Sequence, residues 1–381
     1  MNFKKILPQL LTLVVVILVF GFFSYNAQVN MENRGITFGY GFLSQESSFD
    51  VQFSLIEYDG SHSYFRAYLV GLLNTILVSV IGIIFATIIG VVVGIARLSS
   101  NYLIERTAAI YVEFFRNIPL LLQIFFWYFA ALRALPLPEK AEPMFGVFFL
   151  TIKGFFVPAF VWNNLDIFIY SIIAAIISIF FVRLYAKKKQ ENQGIQTPVL
   201  LISIGLLVVL PLLSFLIGGA EAYVEIPVIK QLSQSSFTYE GGLKLPPELI
   251  SLALALSLYT ATFIAENVRA GVQGVSKGQK EAAASIGLTS NQILKLVVMP
   301  QALRIIIPPT TNQYLNLTKN SSLAAAIAYP DLVLVFAGTA LMQTGRAIEI
   351  VSITMLTYLS ISLAIAALMN WYNKKIEIKE K

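Results

Sequence analysis

Long runs without a single charged side chain dominate this 381-residue chain and set what it can fold into. They cover residues 6–31, 67–96, 117–132, 167–182, 192–220, 249–265 and 350–373. A bilayer core about 30 Å thick takes roughly 20 apolar residues of helix to cross. Inside hydrocarbon, only helices and closed barrels satisfy their own backbone. A further apolar region, 305–345, is interrupted by Pro308, Pro309, Lys319, Pro330 and Asp331. It reads as one span followed by a re-entrant or interfacial piece. The expectation is an all-α membrane protein with about eight transmembrane helices. Composition agrees, with 57% apolar and 13% charged residues, where a soluble domain carries roughly 25% charged. The +6 net charge is spread thinly between neutral stretches and makes no nucleic-acid surface. The absence of cysteine removes disulfides and thiolate chemistry, and the single histidine, His62, leaves little room for imidazole catalysis.

Charge asymmetry orients the spans. With the amino terminus inside, segments 1–5, 97–106, 183–191, 269–304 and 374–381 carry 17 Lys/Arg against 5 Asp/Glu. The outer segments 24–66, 133–166, 219–248 and 323–349 carry 8 against 14. The positive-inside bias therefore puts both termini in the cytoplasm. Residues 1–27 also resemble a signal peptide, with Lys4 and Lys5 ahead of the apolar run. The length of that run and the lack of a clear small-x-small site favour a retained helix. Trp127, Tyr128, Trp371 and Tyr372 near span ends fit interfacial belts.

Residues 1–66 form one span plus an outer segment, 67–373 the main membrane domain, and 374–381 a tail. Within the main domain, 134–248 is an insertion of two spans flanked by outer loops containing Pro136, Pro138, Pro143, Pro246 and Pro247. No internal repeat of the inverted-transporter kind is evident.

The inner loop from 269 to 304 is long and reads as structured. Ser276 and Gln279 have capping-box spacing, predicting a helix over 277–286 that stops at Gly287. Thr289 and Gln292 repeat that spacing and open a second helix, which Pro300 ends or bends. Between the caps lies Glu281-Ala282-Ala283-Ala284-Ser285. Small side chains let a helix backbone lie close to another surface. On a water-facing helix these alanines have nothing in this chain to bury against, which points to a partner protein.

Glu281-Ala282-Ala283, Gly287 and Val297-x-Met299-Pro300 resemble the EAA signature of importer-type ABC permeases. Val297 and Met299 replace the more usual Ile and Leu. Glu113-Phe-Phe-Arg116-Asn117-Ile-Pro119-Leu-Leu-Leu-Gln123 is similar to a stretch of the polar amino-acid permeases. Residues 259–266, Val268-Arg269, Gly278-Gln279 and Lys319-Asn320-Ser321-Ser322-Leu323 also match that subfamily. The resemblance covers 67–133 and 249–373, and the extra spans resemble the larger permeases of general L-amino-acid systems. It implies a type I ABC importer permease core with an extra N-terminal span and two inserted spans, in a bacterial inner membrane.

That resemblance implies a coupling helix in loop 270–304 that docks on a cytoplasmic ABC ATPase dimer through Gln279, Glu281, Ala282, Ala283, Gly287 and Pro300. It also implies a second, paralogous permease subunit and a periplasmic amino-acid-binding protein. Membrane lipid surrounds the chain, and no nucleic acid is involved. The chain is expected to be no enzyme and to carry no cofactor, with Mg–ATP on the partner subunit. A phosphate-binding loop would read G-x-x-x-x-G-K-[ST], and no Gly-Lys dipeptide occurs. A one-component secondary transporter or channel is the alternative, but it leaves the long inner loop unexplained.

Ionisable groups at span boundaries are costly and often functional. Glu113 with Arg116, and Glu266 with Arg269, sit at i,i+3 spacing and suit structural ion pairs on one helix face. Lys319, followed by Ser321 and Ser322, has no acid near it in sequence. It either receives a substrate carboxylate on the translocation path, pairs with Glu113 or Glu266, or snorkels to an interface. Asn117 and Gln123 are weaker path candidates that also suit helix-to-helix hydrogen bonds.

Overall fold

The computed structural model describes residues 3–33, 39–162, 165–194, 197–217, 222–233 and 236–376. In chain order the helices are α1 (Phe3–Asn33), α2 (Tyr64–Ala96), α3 (Tyr102–Asn117), α4 (Leu120–Phe125), α5 (Leu165–Gln193) and α6 (Val199–Ile217). They continue with α7 (Pro247–Gln273), α8 (Lys277–Ser285), α9 (Ser290–Ile293), α10 (Met299–Asn320), α11 (Leu341–Thr344) and α12 (Ala347–Ile376). Short strands are β1 (Phe149–Thr151), β2 (Gly154–Val157), β3 (Ala159–Trp162), β4 (Ala222–Glu225), β5 (Val228–Ser233), β6 (Ser236–Glu240) and β7 (Leu243–Leu245). The chain divides into two compact units, one of Met1–Ile124 with Leu252–Lys381 and one of Phe125–Ser251.

Among the described residues six helices are long and apolar enough to cross a membrane, or seven if one bent pair counts as a span. Each expected apolar run falls on a helix, but two are not simple straight spans. Of run 192–220, residues 199–217 form the shorter apolar helix α6, while 195–196 and 218–220 lie outside the described residues. Run 117–132 lies on a pair, Tyr102–Asn117 and Leu120–Ala134, bent by 101°. The bend follows from Pro119, which pushes the preceding residue out of the helical region; Ile118 is extended at φ −98°, ψ 128°. Pro308 and Pro309 do not break their span, because both lie inside α10. The polar stretch 183–191, expected as a loop, is the end of α5.

In the first unit α2 packs through glycine. A Cβ on Gly90 would lie 2.6 Å from Ile264 Cβ, and one on Gly94 would lie 2.7 Å from Val268 Cβ and 2.8 Å from the Ala265 carbonyl oxygen. The Gly90-x-x-x-Gly94 spacing thus lets α2 and α7 approach backbone to backbone, the small-residue packing of membrane helices. Nearer the amino end of α2, a Cβ on Gly71 would lie 2.8 Å from Leu332 Cα. Several polar side chains in these helices are satisfied locally or across helices. Thr75 and Ser79 donate to the carbonyls four residues back, and Thr87 and Tyr314 share a 2.8 Å hydroxyl contact. Asn74 donates to both Phe53 O and Pro330 O at 2.9 Å. Phe42, Tyr64, Leu332, Phe336, Ala340 and Ile350 form one buried apolar cluster beside it. In the turn after Tyr58, the hydroxyl and amide of Ser61 both donate to Asp59 and hold its carboxyl below the usual range.

In the second unit α5 and α6 form an antiparallel hairpin, with Ser214 Oγ 3.1 Å from Ser171 Oγ. The segments around it, read from sequence as loops, build three small antiparallel sheets ordered β1-β2-β7, β3-β4 and β5-β6. Tyr239 packs its ring 4.4 Å from Phe149 and 4.7 Å from Phe156, and its hydroxyl donates to Pro138 O at 2.9 Å. Runs such as Gly154-Phe-Phe-Val157 are apolar throughout, so they lack the period-two alternation that marks a half-buried strand.

Candidate functional site

The long inner loop is a helical elbow. α8 ends where expected: Gly287 has φ +85°, and its amide donates to Ala284 O while that of Leu288 donates to Ala283 O. Only glycine takes that conformation without penalty. Thr289 and Gln292 form the expected reciprocal capping box. Ser276 and Gln279 do not. Ser276 has an extended, cap-like conformation but accepts no side-chain cap bond. Gln279 is instead engaged by Gln301 Nε2, which ties α8 to α10. Pro300 neither ends nor sharply stops the second helix. A π-helical stretch, Leu294–Val298, runs straight into α10, which has Pro300 in its first turn, and its wider turn absorbs the hydrogen bond that the missing N–H removes.

The alanines divide between two faces. Ala283 is buried within the chain, against the expectation that none would be, while Glu281, Ala282 and Ala284 remain exposed. Ile286 is 77% exposed, and with Ala282 it forms an outward apolar ridge at i,i+4 spacing. Sequence reading missed Ile286; its signal was a branched aliphatic residue beside a glycine stop on an otherwise polar helix. The base of the elbow is tight. A Cβ on Gly271 would clash with Ile306 Cγ1, so α7 and α10 touch close to where the chain leaves α7 for α8.

An ion cluster sits at the same end of α7. Glu266 bonds Arg269, with Nε to Oε1 at 3.1 Å, and its other oxygen bonds Arg97 at the carboxyl end of α2. Arg269 Nη1 also donates to Gln273 at 2.7 Å. The Glu266–Arg269 pair is thus formed, and Arg97 is a partner that local spacing does not disclose. The expected Glu113–Arg116 pair is not formed. Arg116 lies over the Phe263 ring at 5.0 Å from its centroid, a cation–π contact, and Glu113 is exposed.

Lys319 lines a cavity of about 470 Å³ with Ser322, Val333, Thr354, Met355, Tyr358, Leu359 and Ser362. That size suits a small ligand. Lys319 is in none of the ion pairs among the described residues; Glu266 is already held by Arg97 and Arg269. Ser321 is buried behind the cavity wall with its hydroxyl on Thr318 O. Asn117 and Gln123 do not line the cavity. Asn117 is exposed at the end of α3. Buried Gln123 donates to Phe115 O at 2.8 Å and Ile118 O at 2.9 Å, filling carbonyls freed by the Pro119 bend. The stripe Thr354, Tyr358 and Ser362 on α12, at i,i+4,i+8 in an apolar span, was a legible but overlooked sign of a polar surface.

Comparison with known proteins places this arrangement. The family described as binding-protein-dependent transport system inner membrane component matches residues 195–378. The putative amino-acid ABC transporter permease YhdX of Escherichia coli K12 is 46% identical over 374 residues, covering 98% of this chain and 94% of that protein. The general L-amino acid transport system permease AapQ of Rhizobium johnstonii is 45% identical, covering 100% of this chain and 94% of the relative. The glutamate/glutamine/aspartate/asparagine transport system permease BztB of Rhodobacter capsulatus is 39% identical over 100% of this chain and 95% of its own length. The extra spans and sheet-bearing loops fall within these full-length matches. With a capped, outward-facing elbow on a close-packed helical core, the chain belongs to the family of amino-acid ABC transporter permease subunits.

Proposed function

We propose that this chain is the translocation subunit of an ATP-driven importer of L-amino acids in a bacterial inner membrane. It works with an ABC ATPase dimer, a second, paralogous permease chain and an external amino-acid-binding protein. Both termini lie in the cytoplasm, as the positive-inside charge bias requires. The observation that carries this reading is the elbow. α8 and its carboxyl-end cap project Glu281, Ala282 and Ile286 outward from a base in which Gly271 leaves the space that Ile306 fills. A short helix capped at its end and seated on touching helices transmits a push, whereas a floppy loop absorbs it. ATP biases two conformations of the pair only through contacts that differ between them, and α8 presents the surface for those contacts. Purifying the tagged chain from its native membrane tests this. An ABC ATPase and a second permease are expected to co-purify, and isolation of the chain without an ATPase contradicts the assignment.

Lys319 supplies the cation for the substrate's α-carboxylate in the cavity it lines with Ser322, Thr354 and Tyr358. A charge-assisted bond of this kind contributes about 1.5–3 kcal/mol. Lys319→Met keeps the apolar stem and removes the charge. Uptake assays are expected to show an apparent affinity weaker by roughly 10- to 100-fold, with normal amounts of protein in the membrane. Unchanged affinity removes Lys319 from the substrate path.

A further inference from the structure

At the shared end of the α5–α6 hairpin lies a second cavity, of about 320 Å³, lined by Arg183, Ala186, Lys187, Gln190, Thr197 and Val199. Arg183 and Lys187 are one helical turn apart on α5, so both cations reach the same side of it. The Thr197 hydroxyl is buried and has no hydrogen-bond partner among the described residues. Val199 begins α6, so the positive end of that helix opens on the same space. One acid is near: Glu191 lies 3.9 Å from Lys187, with both side chains mostly exposed. Lys188 and Lys189 add to the local charge.

This chemistry differs from that of a plain topological anchor. An anchor needs only basic residues beyond the apolar run; it needs no concavity, no amide side chain and no spare hydroxyl. Here two cations, the Gln190 amide, an unused Thr197 donor and a helix amino end converge on one small volume. All of them suit a tetrahedral oxyanion with several acceptor oxygens. The hairpin presents Ile176, Ile177, Phe180, Leu201 and Leu207, all more than 40% exposed, an apolar surface along which acyl chains can lie while a headgroup enters the cavity. We propose that this cavity binds the phosphate of an anionic phospholipid, fastening the inserted hairpin to the membrane. Basic pockets between helices at the membrane surface recognise such headgroups. The proposal is independent of the amino-acid cavity and the elbow.

The test uses the intact transporter purified in detergent, and reads bound phospholipid by native mass spectrometry and thermal stability on titration. Phosphatidylglycerol is expected to remain bound and to raise the melting temperature of the wild type, while phosphatidylcholine does not. One basic group near an anionic surface is worth roughly fivefold in binding, so Arg183→Ala with Lys187→Ala is expected to weaken phosphatidylglycerol binding about 25-fold. Thr197→Val, which keeps both charges, is expected to weaken it several-fold and guards against a charge variant that fails to fold. Equal phosphatidylglycerol binding by wild type and variants overturns the proposal. Equal protection by millimolar inorganic phosphate assigns the site to a free anion and overturns the lipid reading.

Discussion

Glu281→Arg is expected to abolish ATP-driven uptake while the permease stays folded in the membrane. Glu281 is exposed on α8 and is in none of the ion pairs among the described residues, so reversing its charge breaks no contact within this chain. Its consequence falls on the proposed ATPase interface. Truncating one partner of a buried, hydrogen-bonded charge pair costs about 2–5 kcal/mol of binding. Where the proposed interface meets Glu281 with a cation, the introduced arginine adds repulsion. A loss of about 3 kcal/mol is more than 100-fold in affinity, enough to empty the interface in a membrane extract. Uptake by cells and the ATPase recovered with the tagged permease are the two readouts, and both are expected to fall together. Lys277→Gln, also on the exposed surface of α8 but away from the Ala282–Ile286 ridge, is expected to change both only slightly. Transport and ATPase recovery that both survive Glu281→Arg contradict the coupling role.

The second large effect is on folding. Gly94→Leu is expected to remove most of the folded protein. The first added atom alone would sit 2.7 Å from Val268 Cβ and 2.8 Å from a backbone oxygen at Ala265. A carbonyl in a helix cannot swing aside, so α2 and α7 must separate, and Glu266 loses its hold on Arg97 at the same end. Overpacking costs about 1–3 kcal/mol when neighbours can shift, and this backbone contact lies at or beyond the top of that range. Set against a net stability of about 5–15 kcal/mol, that is a large share. Thermal unfolding of detergent-purified protein reads it as a fall in melting temperature or a loss of monodisperse material. Gly205→Leu is the matched control, since a Cβ there meets nothing within 4 Å. If Gly94→Leu and Gly205→Leu melt alike, the glycine contact between α2 and α7 is not what holds the core.

What was legible in the sequence was local. Gly287 as a helix stop, the Thr289–Gln292 box and the Glu266–Arg269 pair each depend on residues within one helical turn, so spacing alone determines them. The same reasoning failed where a distant element competes for a side chain. Gln279 had the spacing to cap with Ser276, but Gln301 on a later helix took it. Arg116 had the spacing to meet Glu113, but the Phe263 ring offered its face. Arg97 reaches Glu266 across 169 positions, and no local pattern carries that. Proline misled in both directions. Pro119 bends its span by 101° because the preceding residue must be extended. Pro300, Pro308 and Pro309 stay within helix, since π-helical slack and neighbouring helices absorb what they remove. In the candidate cavity, Lys319 and Ser322 were visible as polar residues in an apolar region. Thr354 and Tyr358 were legible only through the four-residue spacing they share with Ser362 in an otherwise apolar span.

The central claim is that this chain moves solute only when an ATPase pushes on its elbow. Reconstitution into proteoliposomes tests it most directly, comparing the chain and the proposed permease partner with and without the proposed ATPase. With the ATPase, Mg–ATP and the loaded binding protein, labelled L-amino acid is expected to accumulate on the ATPase-bearing side. Accumulation by the permease chains alone, driven by an ion gradient and indifferent to ATP, would contradict the account.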